Sequence, residues 1–263
     1  MGIYIHWPWC KTICPYCDFN VKKFKELDFN TWEKAYLKEI KNMSLLTESK
    51  IVSSVYFGGG TPSLIKPSLI KKIINCIAKN FKLSPNAEIT IESNPSSTNY
   101  ENLKNFKLAG INRLSLGLQS FNDKDLRFLG RDHNSMEGRK ALDNVKKFFN
   151  KGNIDIIYGL PNQRINQFKS DLTEILDHAL SIGHLSIYQL TIEKKTPFYK
   201  KYESGELKLP SQDTLAEMYY IIQEETEKKK LFQYEISNHS TLGNESIHNL
   251  GYWRYNEYLG IGP

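Results

Sequence analysis

The sequence predicts an α/β protein built from βαβ units, either an incomplete parallel barrel or an open doubly wound sheet. Two observations carry this. Six short β-rich segments alternate with stretches of helical periodicity, and a polar or Gly-rich group follows each of the first five strands at its carboxyl end. Alternation of this kind builds parallel sheets with right-handed crossovers, and both architectures hold their chemistry beyond the carboxyl ends of the strands.

The first strand is "IYIH" at 3–6. Phe29, Trp32, Tyr36, Ile40 and Met43 then recur every three or four residues, and Asn30 followed by Glu33 has the form of a helix start. "SVYF" at 54–57 is the second strand, followed by a helix with Leu69, Ile73 and Ile77 on its apolar face. "EITIE" at 88–92, "RLSLGL" at 113–118, "IDIIYG" at 154–159 and "LSIYQL" at 185–190 complete the set. Helices are expected near 137–149, near 167–181 and from Ser211 to about Lys230, where Leu215, Met218, Tyr219 and Ile222 form the stripe. No Pro/Ser-rich linker interrupts the series, and no internal repeat appears beyond the βα rhythm.

Composition narrows the class. A hydrophobic fraction of 40% over 263 residues is enough for a sizeable core without staples, so disorder is not expected. The net charge of +6 is spread through helical stretches such as "KKKLF", with no basic patch interleaved with aromatics, so nucleic acid is not an expected partner. The opening "MGIYIHWPWC" lacks the basic segment and apolar run of a secretory signal. No stretch is long and apolar enough for a membrane span, and any membrane contact would be peripheral. The expected location is the cytoplasm, where thiols stay reduced and clustered cysteines point to metal or catalysis.

Three of the four cysteines, Cys10, Cys14 and Cys17, fall within "HWPWCKTICPYCDF" at 6–19, spaced C-x3-C-x2-C. Thiolates are soft ligands suited to iron–sulfur clusters and zinc. Three of them on a [4Fe–4S] cluster leave one iron open to a small molecule that binds through an amine and a carboxylate. The other reading is a structural zinc site completed by His6 or Cys76, although Cys76 falls in an apolar helix where a thiol packs as a small hydrophobe. "GGGTP" at 58–62 favours the cluster, because glycines let a backbone approach an amino-acid moiety closely.

Taken together, these two motifs resemble the radical S-adenosylmethionine superfamily, and the resemblance runs over nearly the full chain. "YIHWPWCKTICPYCDF", "YFGGGTPSL", "TIESNPSS", "INRLSLGLQSF", "LGRDHN" and "NIDIIYGLP" look like the oxygen-independent coproporphyrinogen III oxidases and the related heme chaperones, in the same order. The resemblance implies an incomplete parallel (β/α)6 TIM-like barrel over 1–230 and the start of a heme- or porphyrin-handling region at 231–263. Family members continue from "YLGIGP" into a further helical domain, so the chain is expected to be truncated at Pro263.

The resemblance also implies a site. Cys10, Cys14 and Cys17 would hold the cluster, with Tyr4 and Tyr16 flanking S-adenosylmethionine. Gly59, Gly60 and Thr61 would contact its methionine part or a second cofactor molecule, and Glu92, Gln119, Arg131 and Asp155 would line the rest. The implied chemistry is electron transfer from the reduced cluster to the sulfonium, giving methionine and a 5′-deoxyadenosyl radical. In an oxidase, that radical abstracts hydrogen from a porphyrinogen propionate.

Two features separate the branches. Oxidases carry a further cysteine two positions after the third, where this chain has Phe19, and "CDF" at 17–19 follows the chaperone pattern. "HNLGYW" at 248–253 matches the H-N-x-x-Y-W motif of the chaperones, implying His248 as an axial ligand for heme, with Asn249, Tyr252 and Trp253 around the macrocycle. The expectation is a heme chaperone that takes heme as cargo, passes it to a respiratory acceptor protein and receives electrons for its cluster from a donor. The alternative is the oxidase, decarboxylating porphyrinogen propionates. A zinc-stabilised barrel of unrelated chemistry stands third.

Overall fold

The computed structural model describes residues 1–25, 27–47 and 50–263. Its elements are β1 (Gly2–Trp7), β2 (Trp9–Cys10), β3 (Lys22–Lys23), α1 (Phe29–Leu46), β4 (Ile51–Gly59), α2 (Pro67–Asn80), β5 (Lys82–Ser93), α3 (Tyr100–Ala109), β6 (Arg113–Gln119), α4 (Asp123–Phe128) and α5 (Ser135–Phe148). They continue with β7 (Lys151–Tyr158), α6 (Ile165–Ile182), β8 (His184–Gln189), α7 (Pro197–Glu203), α8 (Gln212–Lys228), β9 (Phe232–Glu235), β10 (Asn238–Ser240), α9 (Ile247–Trp253) and β11 (Tyr258–Ile261). The expected strands are β1, β4, β5, β6, β7 and β8.

Nine strands form one sheet in the order β11-β1-β4-β5-β6-β7-β8-β10-β9. From β11 to β8 every pairing is parallel, and the β10–β9 edge is antiparallel. The fold is therefore an α/β barrel left open between β9 and β11. Residues 231–263, set apart from the core at the level of sequence, supply strands at both edges, since β10 pairs with β8 and β11 with β1.

Helix ends follow capping chemistry. Asp28, rather than the expected Asn30, starts α1: one carboxylate oxygen accepts the Asn30 amide at 3.0 Å and the other the Thr31 hydroxyl at 2.5 Å. A carboxylate two residues earlier reaches the unpaired amides of the first turn, whereas Asn30 already lies inside that turn. The start of α5 is a capping box of Asn134 and Glu137. α6 stops at Gly183, which takes the left-handed conformation with φ of 86°.

The strands have two unlike faces. Ile3, Ile5, Phe57, Ile91, Leu114 and Leu116 are fully buried against the helical layer, each contributing about 2–3 kcal/mol. Intervening positions such as Tyr56, Glu92, Ser115, Asp155 and Ser186 line a cavity inside the barrel. The sheet is therefore apolar toward its helices and polar toward its lumen.

Candidate functional site

The cysteine loop starts where β1 ends. Lys22 N–H donates to Pro8 O and Phe24 N–H to Cys10 O, both at 2.6 Å, so the β2–β3 ribbon closes the loop at its base. Inside it, Cys17 N–H donates to Cys14 O at 3.1 Å. All three cysteines are free thiols, and burial raises Cys10 and Cys17 above the usual range, with the Thr61 hydroxyl partly offsetting this at Cys10.

The glycine segment after β4 lies against this loop. Gly60 N–H donates to Trp7 O at 2.7 Å and Thr61 N–H to Trp9 O at 2.9 Å. A Cβ on Gly60 would meet Trp9 O at 2.8 Å and Cys10 Sγ at 2.9 Å, closer than packed atoms tolerate. Arg131 closes the other side: Nη1 donates to Cys14 Sγ at 3.4 Å, Nη2 donates to Asn94 Oδ1 and Gly117 O at 2.8 Å, and the buried Nε has no partner among the described residues. Three free thiols beside a guanidinium, on a loop the glycine backbone approaches without side chains, fit a [4Fe–4S] cluster.

Neither residue considered as a fourth zinc ligand joins them. His6 has both ring nitrogens engaged, with Tyr4 OH at 3.3 Å and Asn20 O at 3.0 Å. Cys76 lies on α2, its thiol directed at Leu37 O of α1 at 3.8 Å. Among the described residues, no three His, Cys, Asp or Glu side chains are placed to share a single ion.

Beneath the loop runs a cavity of about 490 Å³. Cys10, Cys14, Tyr16, Cys17, Gly59, Gly60, Thr61, Glu92, Gln119, Arg131 and Asp155 line it, so most of the sequence-expected site converges. Tyr16 packs against Phe198, ring centres 6.3 Å apart. Gln119 holds a left-handed backbone, φ 71°, at the bulge where β6 slips against β7. Glu92 accepts the Tyr56 hydroxyl at 2.9 Å and Gly59 N–H at 3.1 Å, while burial, with the Asp155 charge adding to it, pushes its carboxyl up to about 7. Asp155 is also raised by burial, although it accepts Asn153 Nδ2 at 2.7 Å and Ser115 Oγ at 3.3 Å.

Tyr4, His248, Tyr252 and Trp253 are not lining residues of this cavity, and Asn249 is. Tyr4 and His248 lie behind the lining residue Tyr56. Tyr4 stacks on Tyr56 at 6.2 Å, and Tyr56 stacks on His248 at 5.0 Å. The His248 ring bonds Ser54 Oγ at 2.9 Å through Nδ1 and Tyr252 OH at 3.0 Å through Nε2. Burial, aided by the Arg113 charge, lowers the imidazole to about 4 and keeps it neutral. Asn249 and Trp253 both donate to Glu235. The H-N-x-x-Y-W segment is thus a helix seated across the amino-terminal ends of the strands.

Sequence reasoning missed the lower lumen: Glu88, Arg113, Asn153, His184 and Ser186. A signal for them was present. Strands of a parallel sheet covered on both faces read as continuous apolar runs, whereas "EITIE", "RLSLGL" and "HLSIYQ" alternate, which marks a second, polar face.

An open, mostly parallel barrel with free cysteines and a glycine turn at the carboxyl ends of its strands defines a cluster-dependent, cofactor-binding α/β protein. Residues 4–175 match the radical SAM superfamily, and the chain belongs to that superfamily. Membership implies a [4Fe–4S] cluster and S-adenosylmethionine as cofactors. The chain is 38% identical over 263 residues to the mitochondrial radical S-adenosyl methionine domain-containing protein 1 of Danio rerio, covering all of this chain and 59% of that protein. It is 39% identical over 267 residues to heme chaperone HemW of Buchnera aphidicola subsp. Schizaphis graminum, covering all of this chain and 68% of the relative. The fold superposes on coproporphyrinogen III oxidase (HemN) of Escherichia coli with a TM-score of 0.82 at 22% identity, covering 99% of this chain and 63% of that one. The chain thus spans 59% to 68% of the length of these curated relatives. Among the described residues, no helix is long and apolar enough to cross a membrane.

Proposed function

We propose that this chain is the cofactor-binding barrel of a cytoplasmic heme chaperone, which holds heme and passes it to an acceptor protein. The observation that carries this reading is the H-N-x-x-Y-W helix closing the barrel floor in a chain 39% identical throughout to a protein named heme chaperone HemW. Phe19, at the position of the oxidases' further cysteine, points the same way.

Cys10, Cys14 and Cys17 would hold the cluster, which with S-adenosylmethionine supplies one-electron reduction of a sulfonium when bound. The chain's own residues bind and orient. Gly59 and Gly60, without side chains, and Thr61 leave space for the methionine part, and Glu92, poised near neutrality, accepts its amine. Gln119, Arg131 and Asp155 line the remaining wall, with Tyr16 keeping water from it. Tyr4 acts from behind Tyr56. Both His248 nitrogens are engaged, so binding of heme iron by this imidazole would require it to give up Ser54 or Tyr252. Trp253 and Tyr255, 56% and 96% exposed, already offer flat apolar faces outside. A respiratory acceptor, an electron donor and peripheral contact with the acceptor's membrane complete the reading.

The second reading is the oxidase, favoured by the fold shared with HemN and by a lumen with room for S-adenosylmethionine. Anaerobic reconstitution decides between them. The chaperone reading expects a thiolate–iron absorption that bleaches with dithionite, and stable heme binding. Conversion of coproporphyrinogen to protoporphyrinogen by the reconstituted protein would overturn it.

A further inference from the structure

We propose that the deep end of the lumen is a carboxylate-binding subsite built on Arg113 and Thr90. Arg113 is 3% exposed and lines the cavity, yet its Nη2 has no hydrogen-bond partner among the described residues. The nearest carboxylate, Glu88, stands 3.8 Å from Nε, beyond hydrogen-bond length. The other Glu88 oxygen faces α9, where Ser246 Oγ and His248 N–H lie at 3.4 Å. Directly across on β5, Thr90 is fully buried just behind the cavity lining, and among the described residues its hydroxyl also lacks a partner. Thr90 and Arg113 are register partners in adjacent parallel strands, so both side chains leave the same face of the sheet.

A buried guanidinium with unused N–H groups is costly to keep, and a planar carboxylate is the group its fork matches. Charge selects among anions. Glu88 and Asp155 already flank Arg113, so the subsite tolerates one added negative charge better than the two of a phosphate. The Thr90 hydroxyl would donate to the second oxygen. The amino-acid end of the S-adenosylmethionine at the cluster is already used on the open iron, so the carboxylate belongs either to a second S-adenosylmethionine or to a propionate arm of a tetrapyrrole. The second source rests on the heme reading above; the first does not.

The test uses the anaerobically reconstituted protein with three probes: S-adenosylmethionine, heme, and heme dimethyl ester, whose propionates are masked. Arg113→Lys keeps the charge and loses the fork, and Thr90→Val removes only an unpaired hydroxyl. Both variants are expected to weaken one acid probe, on the order of tenfold or more for Arg113→Lys and a few-fold for Thr90→Val. Thr90→Val should melt no lower than the parent, because it buries no new polar group. Loss confined to a second equivalent of S-adenosylmethionine assigns the amino-acid carboxylate. Loss for heme but not its ester assigns the propionate. A parent that binds no heme removes the chaperone reading and leaves the S-adenosylmethionine arm to decide the subsite. Parent-like binding of all three probes by both variants overturns the proposal, leaving Arg113 as a structural partner of Glu88.

Discussion

Asn249 donates its side-chain amide to Glu235 at 2.7 Å, and Trp253, one turn along α9, donates its indole N–H to the other oxygen of the same carboxylate. Asn238 Nδ2 reaches Glu235 as well, at 2.7 Å, so one side chain ties the floor helix to the β9–β10 edge.

Glu235→Ala should therefore release α9. Losing charge-assisted hydrogen bonds is expected to cost about 1–3 kcal/mol, a fall in melting temperature of several degrees. Amide exchange should rise over 247–253 while β5 to β7 stay protected. If heme binding needs α9 displaced, heme affinity rises in this variant; a fall would mean that heme binds the helix in its seated position.

Gly60→Ala places a methyl group 2.9 Å from Cys10 Sγ. The backbone on that side is Trp9 O, which cannot swing aside as a long side chain can. Iron and sulfide per chain after reconstitution should drop severalfold. Full incorporation would show that the glycine is not needed for cluster binding.

The two classes of cysteine should part cleanly. Cys14→Ala removes a thiol that meets Arg131 and should abolish stable iron incorporation. Cys76→Ala, on the helical layer, should load iron as the parent does and cost about 1 kcal/mol or less. Iron loss in Cys76→Ala would reopen the question of a fourth protein ligand.

Glu92 makes a pH prediction in the cluster-free protein. Its carboxyl, ordinarily at 4.5, is held near 7 when folded, so the folded state keeps a proton that the unfolded state releases. This group's contribution is fully present below about pH 4.5 and fades as pH rises through 7, a loss of about 3 kcal/mol. Urea unfolding of Glu92→Gln between these limits should show a flatter decline with pH than the parent. Identical slopes would sink the assignment.

Much of the frame was legible. The helical layer announced itself because burial on one face leaves a three-to-four-residue rhythm, as along Tyr36 and Ile40, and the six expected strands because each is at least six residues long and carries apolar side chains in alternation or in runs. β9, β10 and β11 were not, since four, three and four residues are too few to show alternation and "FQYE" and "NHS" are polar. Local capping was misplaced at Asn30 because Asn30 and Glu33 have the spacing of a capping box whereas Asp28 and Thr31 do not, and only geometry shows that Asp28 reaches the first-turn amide. The upper site could be read from cysteine spacing and glycine, both properties of contiguous sequence. The floor could not, because Arg113, Thr90 and His248 meet only through register across strands and through the return of α9.

The pairing of β11 with β1 carries a consequence for biosynthesis. β1 leads into the cysteine loop, and its inner edge finds β4 early, but its outer edge waits for residues 258–261. On a ribosome, that edge emerges about 250 residues before the strand that covers it, leaving "IYIH" as an open template for strand addition until residues 258–261 follow. Delivery of iron and sulfide to a nascent chain would then compete with self-association, and a holdase that shields this edge should raise the yield of loaded protein.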